Sequence, residues 1–212
     1  MYLSRMKLDM SKRSTQVALS SLNKIHGAVE EAYDYQLGQR TRKLWRIDQL
    51  SGDTYLMILS EKIPRFDSLL CQFGTTPEEC ITKDYTPLLE RVRDGSYWRF
   101  RLTANPTICK SQGKDKRGKR VAVISPELQV EWLIRKSKQH GFCVTGNTFQ
   151  VVKSEWVNFY KKDKHLISAI CVTYEGFLRV ENAEKFRTAL CDGIGTEKAY
   201  GMGMITIMKY EK

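Results

Sequence analysis

The stretch that most restricts how this chain can fold is its tail, from Gly193 through Gly203, which runs into the alternating apolar segment Met204 to Ile207. Gly193, Gly195, Gly201, Gly203 and Lys198 fall within eleven residues. Glycine allows positive φ and a close approach of backbone to another chain, and successive exposed N–H groups make an anion-binding concavity. Asn182 to Leu190 reads as a short amphipathic helix with Phe186 and Leu190 on one face. The order is therefore helix, glycine loop, strand. A dinucleotide-binding fold uses strand, glycine loop, helix, so the reversal argues against NAD and for a loop that follows a polymeric phosphate backbone. The plainer alternative is a tight helix-to-strand turn, for which one glycine would suffice.

Charge supports the first reading. Thirty-five Lys and Arg against 24 Asp and Glu leave a net charge of +11 over 212 residues, a balance that fits a polyanionic partner. Hydrophobic residues make up 42%, enough for one large domain or two small ones. No apolar run is long enough to cross a membrane, and Met1 to Met6 lacks the apolar core of a signal peptide. Cys71, Cys80, Cys109, Cys143, Cys171 and Cys191 form no CxxC pair, and only three histidines accompany them. A zinc site is not expected. The cysteines read as reduced residues of a cytoplasmic protein.

Periodicity lays out the rest. Leu3 to Met10 alternates as a strand, and a helix from Ser11 or Ser14 to about Ala32 carries Val17, Leu22, Ile25 and Val29. Lys43 to Leu50 and Thr54 to Ser60 form a hairpin around Ser51-Gly52-Asp53. Arg65 to Phe73 fits a helix and Ile81 to Leu89 a closing strand. The pattern then restarts with the strand Tyr97 to Thr103 and a mobile basic loop, Lys110 to Arg120. A helix follows, with Ser125 as N-cap and Pro126 in its first turn, ending near Gly141. Strand-like stretches lie in 142–157 and 167–180. Each half reads strand, helix, strand, strand, helix, strand, the ferredoxin-like order. The expected fold is α+β: two tandem ferredoxin-like (RRM-like) domains, residues 1–92 with the His26 helix and residues 93–212 with the basic and glycine loops.

Three features could carry chemistry. His26 shares a helix face with Asn23 and Glu30 and lies near Lys24. A histidine titrates near neutrality. Cleavage of RNA by its own 2′-hydroxyl needs a base, an acid and cations at the phosphorane, but no metal. His26 reads equally as a helix-surface histidine. His140 ends its helix, where the dipole favours a cation, and His165 belongs to the basic run 161–165. Arg99 and Arg101 alternate with Tyr97, Trp98 and Phe100, so that the strand face could hold RNA by phosphate contacts and stacking or simply cover a core. Lys110, Lys114, Lys116, Arg117, Lys119 and Arg120 concentrate charge in one loop, a phosphate contact or a solvated linker.

These parts together resemble one family. Met1-Tyr2-Leu3-Ser4-Arg5, the His26 helix, Tyr97 to Pro106, Tyr174-Glu175-Gly176 and the glycine tail are similar to CasE, the CRISPR precursor-RNA endoribonuclease subunit of the type I-E Cascade complex. The similarity runs from Met1 to the last strand, and Phe100-Arg101-Leu102-Thr103-Ala104-Asn105-Pro106 is its most specific piece. The resemblance implies two ferredoxin-like domains. It implies metal-independent cleavage of CRISPR repeat RNA at the 3′ base of a stem-loop, leaving a 2′,3′-cyclic phosphate or 3′-phosphate. The product would stay bound to the enzyme as a subunit beside other Cascade proteins, with no cofactor and no membrane. The family's catalytic histidine falls on His26. Its tyrosine three residues earlier is Asn23 here, which can hydrogen-bond but cannot exchange a proton near pH 7. An assisting lysine falls among Lys161, Lys162 and Lys164. The expected RNA contacts are Lys24, Arg99, Arg101, the six loop cations, Gly193, Gly195, Lys198, Gly201 and Gly203. A non-catalytic RNA-binding scaffold of the same fold is the competing expectation.

Overall fold

The structure is a computed structural model and describes residues 1–34, 41–111, 113, 118–160 and 165–210. The first half runs β1 (Tyr2–Lys7), α1 (Arg13–Leu19), α2 (Leu22–Glu31), β2 (Lys43–Leu50), β3 (Asp53–Ser60), α3 (Phe66–Phe73), β4 (Cys80–Asp84) and α4 (Thr86–Arg91). Its strands form one antiparallel sheet in the order β2-β3-β1-β4. The second half runs β5 (Tyr97–Ala104), β6 (Thr107–Lys110), β7 (Lys119–Ala122), α5 (Pro126–Gln139), β8 (Phe142–Cys143), β9 (Phe149–Tyr160), β10 (Leu166–Val180), α6 (Ala183–Asp192) and β11 (Ile205–Lys209). Here the sheet order is β11-β5-β10. Both β9 and β8 lie along the far edge of β10, against 166–176 and 179–180 respectively. Each sheet thus has the ferredoxin-like strand order.

Several sequence expectations need correction. The single long helix is two, because Ser20 and Ser21 interrupt it. Ser20 turns its hydroxyl back to the Val17 carbonyl at 2.9 Å, a local bond that competes with helix continuation, and Ser21 is extended. The first strand stops at Lys7, since Asp9 accepts from the N–H and hydroxyl of Ser11 at 2.9 and 2.6 Å in a turn. The closing strand ends at Asp84. Pro87 then starts α4, with Asp84 accepting from the Thr86 N–H at 2.9 Å. The basic loop is, at its base, the β6–β7 ribbon, with Lys110 opposite Lys119 and Cys109 opposite Arg120. Ser125 precedes α5 but makes no capping bond; its hydroxyl donates to Glu127 instead. Asn182 does cap α6, accepting from the Lys185 N–H at 2.9 Å.

The two halves share one core. Leu44 and Leu59 of the first sheet pack in the same cluster as Phe100, Leu102, Trp132, Tyr174 and Met204. A polar tie lies beside it. Arg46 and Asp48 are buried and pair at 2.7 Å. The Arg46 guanidinium also donates to the carbonyls of Arg101 and Met204 at 3.1 and 3.0 Å and to the Thr206 hydroxyl at 2.9 Å. No described helix is long and apolar enough to cross a membrane.

Candidate active site

α2 buries Ile25, Ala28 and Val29 against Met6, Leu56 and Trp45. Helical periodicity then carries Asn23, His26 and Glu30 along its flank. His26 is half-buried there. Its ring centroid lies 5.5 Å from that of Tyr200, tilted by 53°. Tyr200 in turn stacks on Phe159 at 3.9 Å and its hydroxyl donates to the Tyr160 carbonyl at 3.4 Å. Three rings from three distant segments therefore form one aromatic column, with an imidazole at its end.

Asn23 fastens this arrangement. Its amide oxygen accepts from the Tyr160 N–H at 2.8 Å, and its amide nitrogen donates to the Tyr160 carbonyl. The helix carrying His26 is thus tied to the end of β9, next in sequence to the run 161–164. Glu30 is ion-paired with Lys43 at 2.7 Å. Lys24, two residues from His26, points away from it and lines a separate groove with Ser14, Gly27 and Gln72. The structure does not place Lys24 with His26. Lys161, Lys162 and Lys164 lie outside the described residues, as do Lys114, Lys116 and Arg117.

Tyr200 ends a short 3₁₀ turn, Lys198–Tyr200, inside the glycine loop. Gly193, Gly195, Gly201 and Gly203 have φ of 75°, 93°, 79° and 97°, where other residues are strained. A Cβ on Gly201 would sit 2.7 Å from the Trp45 ring, and one on Gly193 would sit 2.8 Å from the Gly203 carbonyl. Trp45 also donates its indole N–H to the Ala199 carbonyl at 3.0 Å. The loop is therefore folded on itself and pressed against β2. Gly201 and Gly203 are buried, which corrects the expectation that they offer open backbone to phosphate. Lys198 donates to the carbonyls of Asp192 and Gly193, both at 2.7 Å, at the negative end of α6. Burial, and then the Arg42 charge, push its pKa below the usual lysine range.

The basic strand face also divides. Arg99 is exposed beside a cavity of about 310 Å³ formed with Asn147, Gln150 and Phe177. Arg101 instead lies 3.2 Å from Asp48 and is ion-paired with Glu175. Its charge is spent on the junction between the halves, so it is corrected from an RNA contact to a tie. Lys110, Lys119 and Arg120 are exposed on the β6–β7 ribbon. His140 ends α5, where burial, then Lys136 and Lys198, lower its pKa. Among the described residues, no group of three or more His, Cys, Asp or Glu could hold a metal ion.

Sequence reasoning missed Tyr200. The only signal was a phenol embedded between Gly195 and Gly201, to which the sequence reading gave no role. It also missed the pair of hydrogen bonds between Asn23 and Tyr160, which join residues far apart in sequence.

Comparison with known proteins gives four findings. The family model described as CRISPR associated protein matches residues 1–209. The CRISPR-associated endoribonuclease Cse3 of Thermus thermophilus is 26% identical, over 98% of this chain and 99% of that protein. A solved structure of CRISPR endoribonuclease Cse3 bound to a 19-nucleotide RNA superposes with a TM-score of 0.81 at 25% identity, covering 98% of this chain and 100% of that one. A chain of a CRISPR RNA-guided surveillance complex has the same fold, with a TM-score of 0.72 at 19% identity over 99% of this chain and 100% of that one.

Proposed function

Because this chain belongs to the CRISPR-associated protein family, and within it to the CasE/Cse3 group, we propose that it is the endoribonuclease that processes CRISPR repeat RNA, with its active centre at His26. The reading rests most on one observation: His26 stands at the junction of the two halves, against Tyr200 of the glycine loop. The RNA's 2′-oxygen attacks the adjacent phosphorus, forming the O2′–P bond and breaking P–O5′. A 2′,3′-cyclic phosphate and a free 5′-hydroxyl result. His26 takes or returns the proton in this exchange. Tyr200 replaces the tyrosine that the family carries where this chain has Asn23: its phenol, held by Phe159, gives up the Tyr160 carbonyl when RNA binds and donates its hydrogen bond to the reacting phosphate instead. Asn23 has become a clamp.

This division of labour removes the support for a non-catalytic scaffold, which rested on Asn23 alone. The chain works without metal or cofactor, cuts at the 3′ base of the hairpin, and keeps its product as a cytoplasmic Cascade subunit among the other subunits. Residues 1–92 carry the catalytic helix and residues 93–212 the basic ribbon and glycine loop. Arg99, Lys110, Lys119 and Arg120 supply exposed positive charge for phosphate. Single-turnover cleavage of repeat hairpin RNA in EDTA tests the reading. Wild type should cut, and His26→Ala should be slower by about 10²- to 10⁴-fold with nearly unchanged Kd. Cleavage that needs a divalent ion beyond RNA folding would refute the metal-free chemistry. Equal rates for the two proteins would remove His26 from the site.

A further inference from the structure

At the C-terminal end of α5 lies a basin of about 620 Å³. Arg120 enters it from β7, Arg135, Lys136 and His140 from the end of α5, and Lys198 from the glycine loop, where Gly195 contributes bare backbone. No carboxylate lines it among the described residues. The cations repel one another through it. Burial, then Arg135 and Arg120, lower the pKa of Lys136. Burial, then Lys136 and Lys198, lower that of His140. Like charges gathered in a partly desolvated hollow are unfavourable until an anion joins them. Trp132, in its wall, keeps a buried indole N–H with no hydrogen-bond partner among the described residues.

Shape and place narrow the anion. The volume lies in the range of small-ligand pockets, so it holds about one or two nucleotides. The aromatic in its wall, Trp132, is buried, which leaves no open ring for a base to stack on and makes the basin a reader of phosphate rather than of sequence. Lys198 opens the same 3₁₀ turn that ends in Tyr200, so the basin adjoins the His26 column through three residues of backbone. We propose that this basin binds the phosphodiester backbone of the single-stranded RNA flanking the hairpin, next to the bond that is cut. The inference rests on the endoribonuclease reading above and adds Arg135, Lys136 and His140 to the RNA surface.

The test uses the full chain and two repeat RNAs with a 2′-deoxy group at the cleavage position. One is a blunt hairpin; the other carries single-stranded tails of scrambled sequence. Wild type should bind the tailed RNA more tightly than the blunt one, whatever the tail sequence. In the double variant Arg135→Gln with Lys136→Gln that gain should vanish while affinity for the blunt hairpin stays unchanged. The log–log salt slope for tailed RNA should flatten by about 1.4, at about 0.7 per single-strand phosphate contact. Lys136→Arg, which keeps the charge, should bind like wild type. A tail that adds nothing in wild type, a gain that survives the double variant, or an equal loss on both RNAs would each overturn the proposal. Inorganic phosphate binding in the basin without a tail effect would also overturn it. Cleavage of the ribose form of the blunt hairpin is read in parallel. Cutting without a tail effect rejects the basin alone, and a tail effect without cutting rejects the endoribonuclease reading alone.

Discussion

At the scale of single residues, the proposed site depends on a trade between two positions. Asn23 occupies the place of the family's tyrosine on α2, and a phenol arrives beside His26 from the glycine loop instead. The ring contact at 5.5 Å and the stack on Phe159 at 3.9 Å hold it there. Tyr200→Phe keeps both ring contacts and removes only the hydroxyl. It should slow cleavage by about 10²-fold and leave Kd for repeat RNA and the melting temperature nearly unchanged. A rate equal to wild type would show that the ring is packing and nothing more. Asn23→Ala should act differently. It releases the two bonds to Tyr160, costing about 1 kcal/mol for each exposed bond at most, and loosens α2. Single-turnover cleavage at saturating repeat RNA should fall together with the melting temperature, and a wild-type rate would show that the clamp does not position His26.

Among the elements, the glycine loop is the one whose role changes most between sequence and structure. Its glycine content comes from geometry: four backbone positions at positive φ and two places where a methyl group has no room. Gly201→Ala combines φ strain, about 1–3 kcal/mol, with a collision at the Trp45 ring. Gly52, with φ 89° and nothing within 4 Å of an added Cβ, isolates the strain alone. Thermal unfolding of both variants should therefore show the larger loss for Gly201→Ala. Because Trp45 and Gly201 flank Tyr200, cleavage by Gly201→Ala should fall more than RNA affinity. Equal melting temperatures for the two variants would mean that Trp45 yields without cost.

On the scale of the whole molecule, the two halves act as one body because a charged network closes their junction. Arg46 reaches two carbonyls and a hydroxyl of the second sheet while pairing with Asp48, and Arg101 leans on the same carboxylate. Removing one partner of a buried pair leaves a charge without compensation, at about 3–5 kcal/mol. Asp48→Ala should therefore lower Tm by roughly 6–20 °C for a chain of this size. The proposed active site spans the same junction, with His26 on one half and Tyr200 on the other, so cleavage should fall together with stability. A variant that melts early yet cuts at the wild-type rate when folded would show that the site does not depend on the junction.

Much of this was legible from the chain alone. Alternation and helical period placed β2, β3, α3, β5 and α6, because those patterns are properties of neighbouring residues. The excess of cations pointed to a phosphate polymer, whereas the glycine loop, read as open to phosphate, is packed on Trp45. The helix break at Ser20-Ser21 and the turn to α4 were missed because local side-chain bonds and Pro87 overrode the apolar rhythm. Everything that depends on which distant residues meet was decided by tertiary structure. Composition cannot tell that Arg101 faces Asp48 and Glu175 while Arg99 faces solvent, that Asn23 finds Tyr160, or that Tyr200 stands against His26. Those outcomes follow from how two sheets pack. Burial then decides whether a charge is consumed by a partner or left for RNA, and whether a glycine serves a ligand or a tryptophan ring.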